Sequence, residues 1–151
     1  MFNRSKKSIP LENAILNGDI GQVRQQLKAG VDPNQPIPGD SAYPLHYAAH
    51  SYANIIQLLV EHGADANVRD DKGKTPLHIA SAMAYLEGIQ VLIEHGADVN
   101  SEDDEGNTPL QLAQRGTPAT SFFTNLGMPM SEEENQKRKK AVDLLIAHGA
   151  K

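Results

Sequence analysis

At 151 residues, with 39% hydrophobic and 22% charged residues, the chain has the make-up of a single globular domain with a modest core, too apolar for wholesale disorder. Its formal net charge of −5 leaves no cationic excess to neutralise phosphates, which argues against general nucleic-acid binding. The absence of cysteine removes disulfides, thiolate metal sites and cysteine nucleophiles.

In chain order, residues 1–8 (MFNRSKKS) are basic and polar and are expected to be a flexible N-terminal segment. No apolar run follows them, so they do not read as a signal peptide, and no run of 18 apolar residues suggests a membrane span. The expectation is a cytoplasmic protein. A first unit, 9–34, opens Ile9-Pro10-Leu11 and continues with Ile20, Val23 and Leu27, a narrow stripe amid Gln22, Arg24, Gln25 and Gln26. That pattern predicts a terminal helix with one face in water. It closes at Gly30 and Asp32-Pro33-Asn34.

A second unit, 35–67, begins with a turn-rich stretch containing Gln35, Pro36, Ile37, Pro38 and Asp40. Tyr43-Pro44-Leu45-His46-Tyr47-Ala48 then predicts a short helix. Ile55-Ile56-Gln57-Leu58-Leu59-Val60, apolar on nearly all sides, predicts a second helix buried between neighbours. A third unit, 68–100, repeats the plan. Arg69, Asp71, Lys72 and Lys74 lie in its turn, Thr75-Pro76-Leu77-His78-Ile79-Ala80 opens its first helix, and His95-Gly96-Ala97-Asp98 closes its second. A fourth, 101–151, starts with Glu102-Asp103-Asp104-Glu105 and Asn107 ahead of Thr108-Pro109-Leu110-Gln111, and ends in His148-Gly149-Ala150. Between its two helices lies an insertion, 116–136.

The period is visible in the glycines: Gly30, Gly63 and Gly96 are spaced by 33, and the Asp-x-Asn that follows each keeps the same phase. Each recurring residue has a local role. Thr75 and Thr108 suit the N-cap, with proline next, where a missing N–H costs nothing. Thr108 with Gln111 forms a capping-box pattern. The glycines fall where a helix ends in a left-handed residue, and His62, His95 and His148 sit in the last turn, beside the negative end of the dipole. The unit is helix, helix, protruding turn.

This pattern resembles the ankyrin repeat, whose period is 33 residues and whose signature is T-P-L-H-x-A. Residues 75–80 match it fully; 43–48 and 108–113 each depart at one place. The resemblance implies an all-α repeat solenoid of four stacked helix pairs over 9–151, with β-hairpin-like finger loops. It also implies a non-catalytic protein-binding surface made of the fingers and the exposed faces of the first helices, with no cofactor. A monomer is expected.

On that surface the first finger contributes Gln35, Ile37 and Asp40, stiffened by its prolines, and the second Arg69, Asp71, Lys72 and Lys74. The third contributes Glu102, Asp104, Glu105 and Asn107. With Asp98 and Asp103 it carries −5 over 98–107 and reads either as a solvated acidic turn or as a steering site for a basic partner. Tyr47, His50, Met83 and Arg115 are the candidates on the helix face, with packing between units an equal reading of Tyr47. In the insertion, Phe122, Phe123, Leu126, Met128 and Met130 read as a cap over the apolar last helix (Val142, Leu144, Leu145, Ile146), as partner-binding anchors, or as part of a mobile loop with no dedicated role.

No nucleophile elbow, phosphate loop, dinucleotide fingerprint or zinc-protease spacing is present. Five of the six histidines sit at two repeat phases, where neighbouring rungs ~8–10 Å apart cannot share an ion that needs ligands at ~2 Å. What the resemblance implies for the Thr-Pro-Leu-His histidines is a structural role, hydrogen-bonding within and between units. Three functions remain: a general interaction adaptor, a dedicated inhibitor or immunity-type protein blocking one target, and a structural or oligomerising module. The run Lys137-Arg138-Lys139-Lys140 reads as a solvated helix start that pairs with Glu132, Glu133 and Glu134.

Overall fold

The computed structural model describes residues 9–151; the expected segment 1–8 lies outside the described residues. The elements are α1 (Leu11–Leu16), α2 (Ile20–Lys28), α3 (Pro44–Ala48), α4 (Ala53–Glu61), α5 (Pro76–Ala82), α6 (Leu86–Glu94), α7 (Pro109–Arg115), α8 (Pro118–Asn125) and α9 (Glu132–Ala147). Two layers result. The helices α1, α3, α5 and α7 form one row and α2, α4, α6 and α9 the other, each packed on its partner and on its neighbours along the row. That is a stack of four helix pairs, an all-α solenoid.

Local chemistry sets the helix ends. Proline opens α3, α5 and α7. The Thr108 hydroxyl accepts from the Gln111 N–H at 3.3 Å, while the Gln111 side chain accepts from the Thr108 N–H at 3.0 Å, the reciprocal cap its sequence predicts. The outer helices α4, α6 and α9 end at His62, His95 and His148, whose Nδ1 atoms each lie 2.8 Å from the carbonyl four residues back. The following Gly63, Gly96 and Gly149 take φ near +90°, a region that favours glycine.

The core runs through the stack. Ile15, Val23, Leu45, Ile55, Ile56, Leu59, Leu77, Ile89, Leu92 and Leu145 are fully buried. Gln26 is an exception to the wet face expected of α2: it is buried, and its amide donates to the Ile9 carbonyl at 2.6 Å, tying the segment before α1 to the outer helix.

Two polar ladders join the units. Asn34 donates to the Gly63 carbonyl and accepts from the Asp65 N–H, both at 2.8 Å. Asn67 does the same with Gly96 (3.0 Å) and Asp98 (2.8 Å), and Asn100 with Gly149 (3.1 Å) and Lys151 (3.0 Å). A tyrosine ladder crosses the other way. The Tyr85 hydroxyl accepts from the Ala53 N–H at 2.8 Å, capping α4 from the next unit, and the Tyr52 hydroxyl donates to the Leu16 carbonyl at 3.2 Å.

No β-strand is present among the described residues, so the fingers are tight turns rather than hairpins. Each is closed by a backbone bond: Ile37 to Ala42 (2.9 Å), Asp70 to Lys74 (3.0 Å) and Asp103 to Asn107 (3.0 Å).

Candidate functional site

The fingers are held by side chains at their roots. One Asp70 carboxylate oxygen accepts from the N–H groups of Lys72 and Lys74, at 2.9 and 2.8 Å. Asp103 repeats this with Glu105 and Asn107, at 3.0 and 2.8 Å. Burial pushes the Asp103 carboxyl up, but the hydrogen bonds from Asn107 and Glu105 outweigh it and hold it below its ordinary value. Neighbouring fingers are also joined, because the Asp104 N–H donates to the Lys72 carbonyl at 3.0 Å and Arg69 lies 3.6 Å from the Asp104 carboxylate. That ion pair is exposed and adds little by itself; the backbone bond sets the spacing.

Beneath the fingers, each signature histidine spans a unit boundary. His46 Nε2 lies 2.8 Å from the Lys74 carbonyl and His78 Nε2 2.9 Å from that of Asn107, while the Nδ1 atoms accept from the Tyr43 and Thr75 N–H groups. A neutral ring protonated on Nε2 satisfies both contacts. These histidines tie neighbouring units together, as the resemblance implies. Among the described residues no cluster of three His, Cys, Asp or Glu side chains is placed to hold a metal ion.

Between the first two fingers and the helices α3 and α5 lies a groove of about 320 Å³, to which Asp40, Tyr47, His50, Asp71, Lys72 and Ile79 all contribute. The Tyr47 hydroxyl donates to Asp40 at 2.6 Å, which fixes the ring across the groove. That bond lowers the Asp40 carboxyl below its ordinary value and raises the Tyr47 hydroxyl. Partial burial lowers His50. The result is a preset aromatic face flanked by exposed charges of both signs.

The remaining predicted residues divide. Gln35 lies outside the groove, in a cleft beside the first finger. Lys74 is half-buried at a finger root, and Met83 stands 43% exposed just past α5. Arg115 donates to the Asn107 side chain at 2.8 Å, and Asn107 also donates to Glu105 at 3.2 Å. Two residues expected on the surface are not there. Ile37 is 8% exposed and Asn107 is 7% exposed. Ile37 occupies the finger position taken by Asp70 and Asp103 in the next two units and turns inward without a carboxylate to cap the turn. Asn107 is consumed by the third finger's own hydrogen bonds. Asp103 is buried as well, so the acidic third finger presents Glu102, Asp104 and Glu105 rather than a uniform block.

The insertion does not cap the stack through its aromatic residues. Phe122, Phe123, Leu126 and Met128 are 59, 50, 61 and 55% exposed, and α8 buries none of its residues. Ile146 on α9 remains 53% exposed. Met130 is half-buried beside a hollow of about 300 Å³ formed with Phe123, Met128 and Glu134.

The insertion is anchored instead by Arg138, a residue read from sequence as solvated and found 5% exposed. Its guanidinium donates to the carbonyls of Ala82 and Ala113, each at 3.3 Å, and pairs with Glu134 at 2.9 Å. Lys137 pairs with Glu133 on the wet side at 2.8 Å, as expected of that charge run. Only the spacing of Glu134 and Arg138, four apart, hinted at the latch.

Residues 11–103 match a family model described as ankyrin repeats (3 copies). Among curated proteins, an ankyrin repeat protein of Fowlpox virus is 35% identical over 79 residues, covering 52% of this chain and 11% of that protein. An ankyrin repeat protein of Pyrobaculum aerophilum is 45% identical over 71 residues, covering 47% and 26%. The cyclin-dependent kinase 4 inhibitor B of Bos taurus is 37% identical over 76 residues, covering 50% and 57%. The chain thus spans between about a tenth and a little over half of the length of these relatives.

Proposed function

Because the chain belongs to the ankyrin-repeat family, we propose that it works without catalysis, by presenting the groove between its first two fingers to a protein partner. Ankyrin repeats are generally protein–protein interaction modules. The observation that carries the reading is the Tyr47–Asp40 hydrogen bond of 2.6 Å at the edge of that groove. It holds an aromatic contact in place before any partner arrives, so little side-chain entropy remains to be lost on binding. Asp71 and Lys72 on the second finger, with Glu102, Asp104 and Glu105 on the third, supply orientation and favour a partner with a basic patch. Gln35, Arg69, Lys74, Met83 and Arg115 make the periphery. The protein acts as a monomer in the cytoplasm and needs no cofactor. The exposed Phe122, Phe123, Leu126 and Met128 form a second apolar contact area on the insertion.

Affinity capture from the native lysate tests this, comparing the wild type with Tyr47→Phe/Asp71→Lys and with charge reversal at Glu102, Asp104 and Glu105. Loss of the same captured protein from both variants supports the groove and fingers as the site. Equal capture by both removes it.

A second reading is favoured by one relative, the cyclin-dependent kinase 4 inhibitor B: a dedicated inhibitor that blocks one target through the same surface. It predicts a single tight, salt-sensitive complex, where an adaptor yields several.

A further inference from the structure

Beside the binding groove, a separate cleft of about 610 Å³ opens between the start of α1 and the first finger. Its lining is apolar: Pro10, Leu11, Val31, Pro36, Ile37 and Pro44 all contribute. Leu11 and Ile37 are buried beneath it, whereas Val31 remains 41% exposed, so no other described residue covers the apolar surface. Proline walls carry no N–H that needs a partner, and their φ angles are fixed. Such a cleft keeps its shape when empty and loses little entropy on filling.

The rim is acidic. Glu12 and Asp32 border the cleft. Asp32 is held by the Asn34 N–H at 2.8 Å, which fixes where its charge lies. Among the described residues neither Glu12 nor Asp32 forms an ion pair.

We propose that this cleft receives an apolar side chain from an extended peptide segment whose following residues are Arg or Lys, with the cations lying against Glu12 and Asp32. The proposal rests on the protein-recognition reading above and names the chemistry of the segment recognised. Shape selects the apolar anchor. The negative rim draws the basic neighbours and repels acidic ones.

The test uses the full chain and three fluorescent peptides, GSLRRSG, GSSRRSG and GSLEESG. GSLRRSG binds saturably, GSSRRSG binds at least about tenfold more weakly because the anchor is gone, and GSLEESG does not bind. Val31→Glu, a change at an exposed position, lowers GSLRRSG affinity by about tenfold or more. Glu12→Gln with Asp32→Asn keeps the shape, since an amide oxygen still accepts from the Asn34 N–H, and flattens the salt dependence. Equal binding of GSSRRSG, unchanged affinity in Val31→Glu, or no saturation at millimolar peptide overturns the proposal. So does self-association in which a second copy fills the cleft, read as a concentration-dependent mass that Val31→Glu abolishes. Lysate capture by the wild type that persists undiminished in Val31→Glu overturns the cleft and leaves the groove reading standing. Loss of capture only in the groove variants does the same.

Discussion

His78 Nε2 lies 2.9 Å from the carbonyl oxygen of Asn107, so the first helix of one unit holds the root of the next unit's finger. His46 stands in the same relation to Lys74. Burial lowers the pKa of both rings, against a smaller opposing pull from those carbonyls. The unfolded chain, with histidine near its ordinary value of about 6.5, therefore takes up protons first as the pH falls. This contribution to stability is fully present above about pH 6.5 and is lost as the pH drops through the lowered folded-state values. Urea midpoints measured between about pH 7.5 and pH 5 should fall with acidification. The fall should be shallower in His78→Gln, which keeps a polar group there without a titrating ring.

Asn67 makes two hydrogen bonds to the next unit, at 3.0 and 2.8 Å. Asn67→Ala should cost about 1–2 kcal/mol, measured as a lower urea midpoint with unchanged helix content. Asn67→Asp is the sharper test. It keeps the acceptor but sets a carboxylate against the Gly96 carbonyl, and should cost at least as much as the alanine.

Leu77 is fully buried at the centre of the stack. Leu77→Ala should cost about 2–5 kcal/mol through lost apolar burial and the cavity left behind. Each pair leans on its neighbours, so a circular-dichroism melt should shift as one transition rather than split into two.

Arg138 and the phenylalanines of the insertion make opposite predictions. Arg138→Met should destabilise by about 3 kcal/mol, because the carbonyls of Ala82 and Ala113 and the Glu134 carboxylate lose their donor together. Phe122→Ser with Phe123→Ser removes exposed rings and should stay within about 0.5 kcal/mol of the wild type. Thermal melts of the two variants compare them directly. A large loss from the serine pair would restore the cap reading of the insertion.

Gly88 lies in α6 at a place where a Cβ would come 2.5 Å from the Tyr85 ring. In an open helix Gly→Ala gains about 0.5–1 kcal/mol. Here Gly88→Ala should lower the melting temperature, since Tyr85 must move and release the Ala53 N–H it caps.

Much of the solenoid was legible because its signals are local. A threonine or tyrosine before proline, a glycine with φ near +90°, and apolar residues at helical spacing act within one or two turns of chain, and the sequence repeats them. Ile55, Ile56, Leu58 and Leu59 are buried where the pattern put them. The candidate site was legible only in part. Asp40, Tyr47, His50, Asp71 and Lys72 do converge, since repeat phase places them on one side of the stack.

Ile37, Asn107, Asp103 and Arg138 read as surface residues because polarity and turn position favour exposure on average. Their burial depends on which carbonyl, N–H or apolar wall the stack brings near. For Arg138 those are Ala82 and Ala113, 56 and 25 residues back along the chain. The amino-acid sequence alone determined the period, the helix ends and the apolar faces, all of which depend on near neighbours. Which polar side chains are spent inside the stack, and which are left to meet a partner, was decided by contacts between units, which local patterns do not encode.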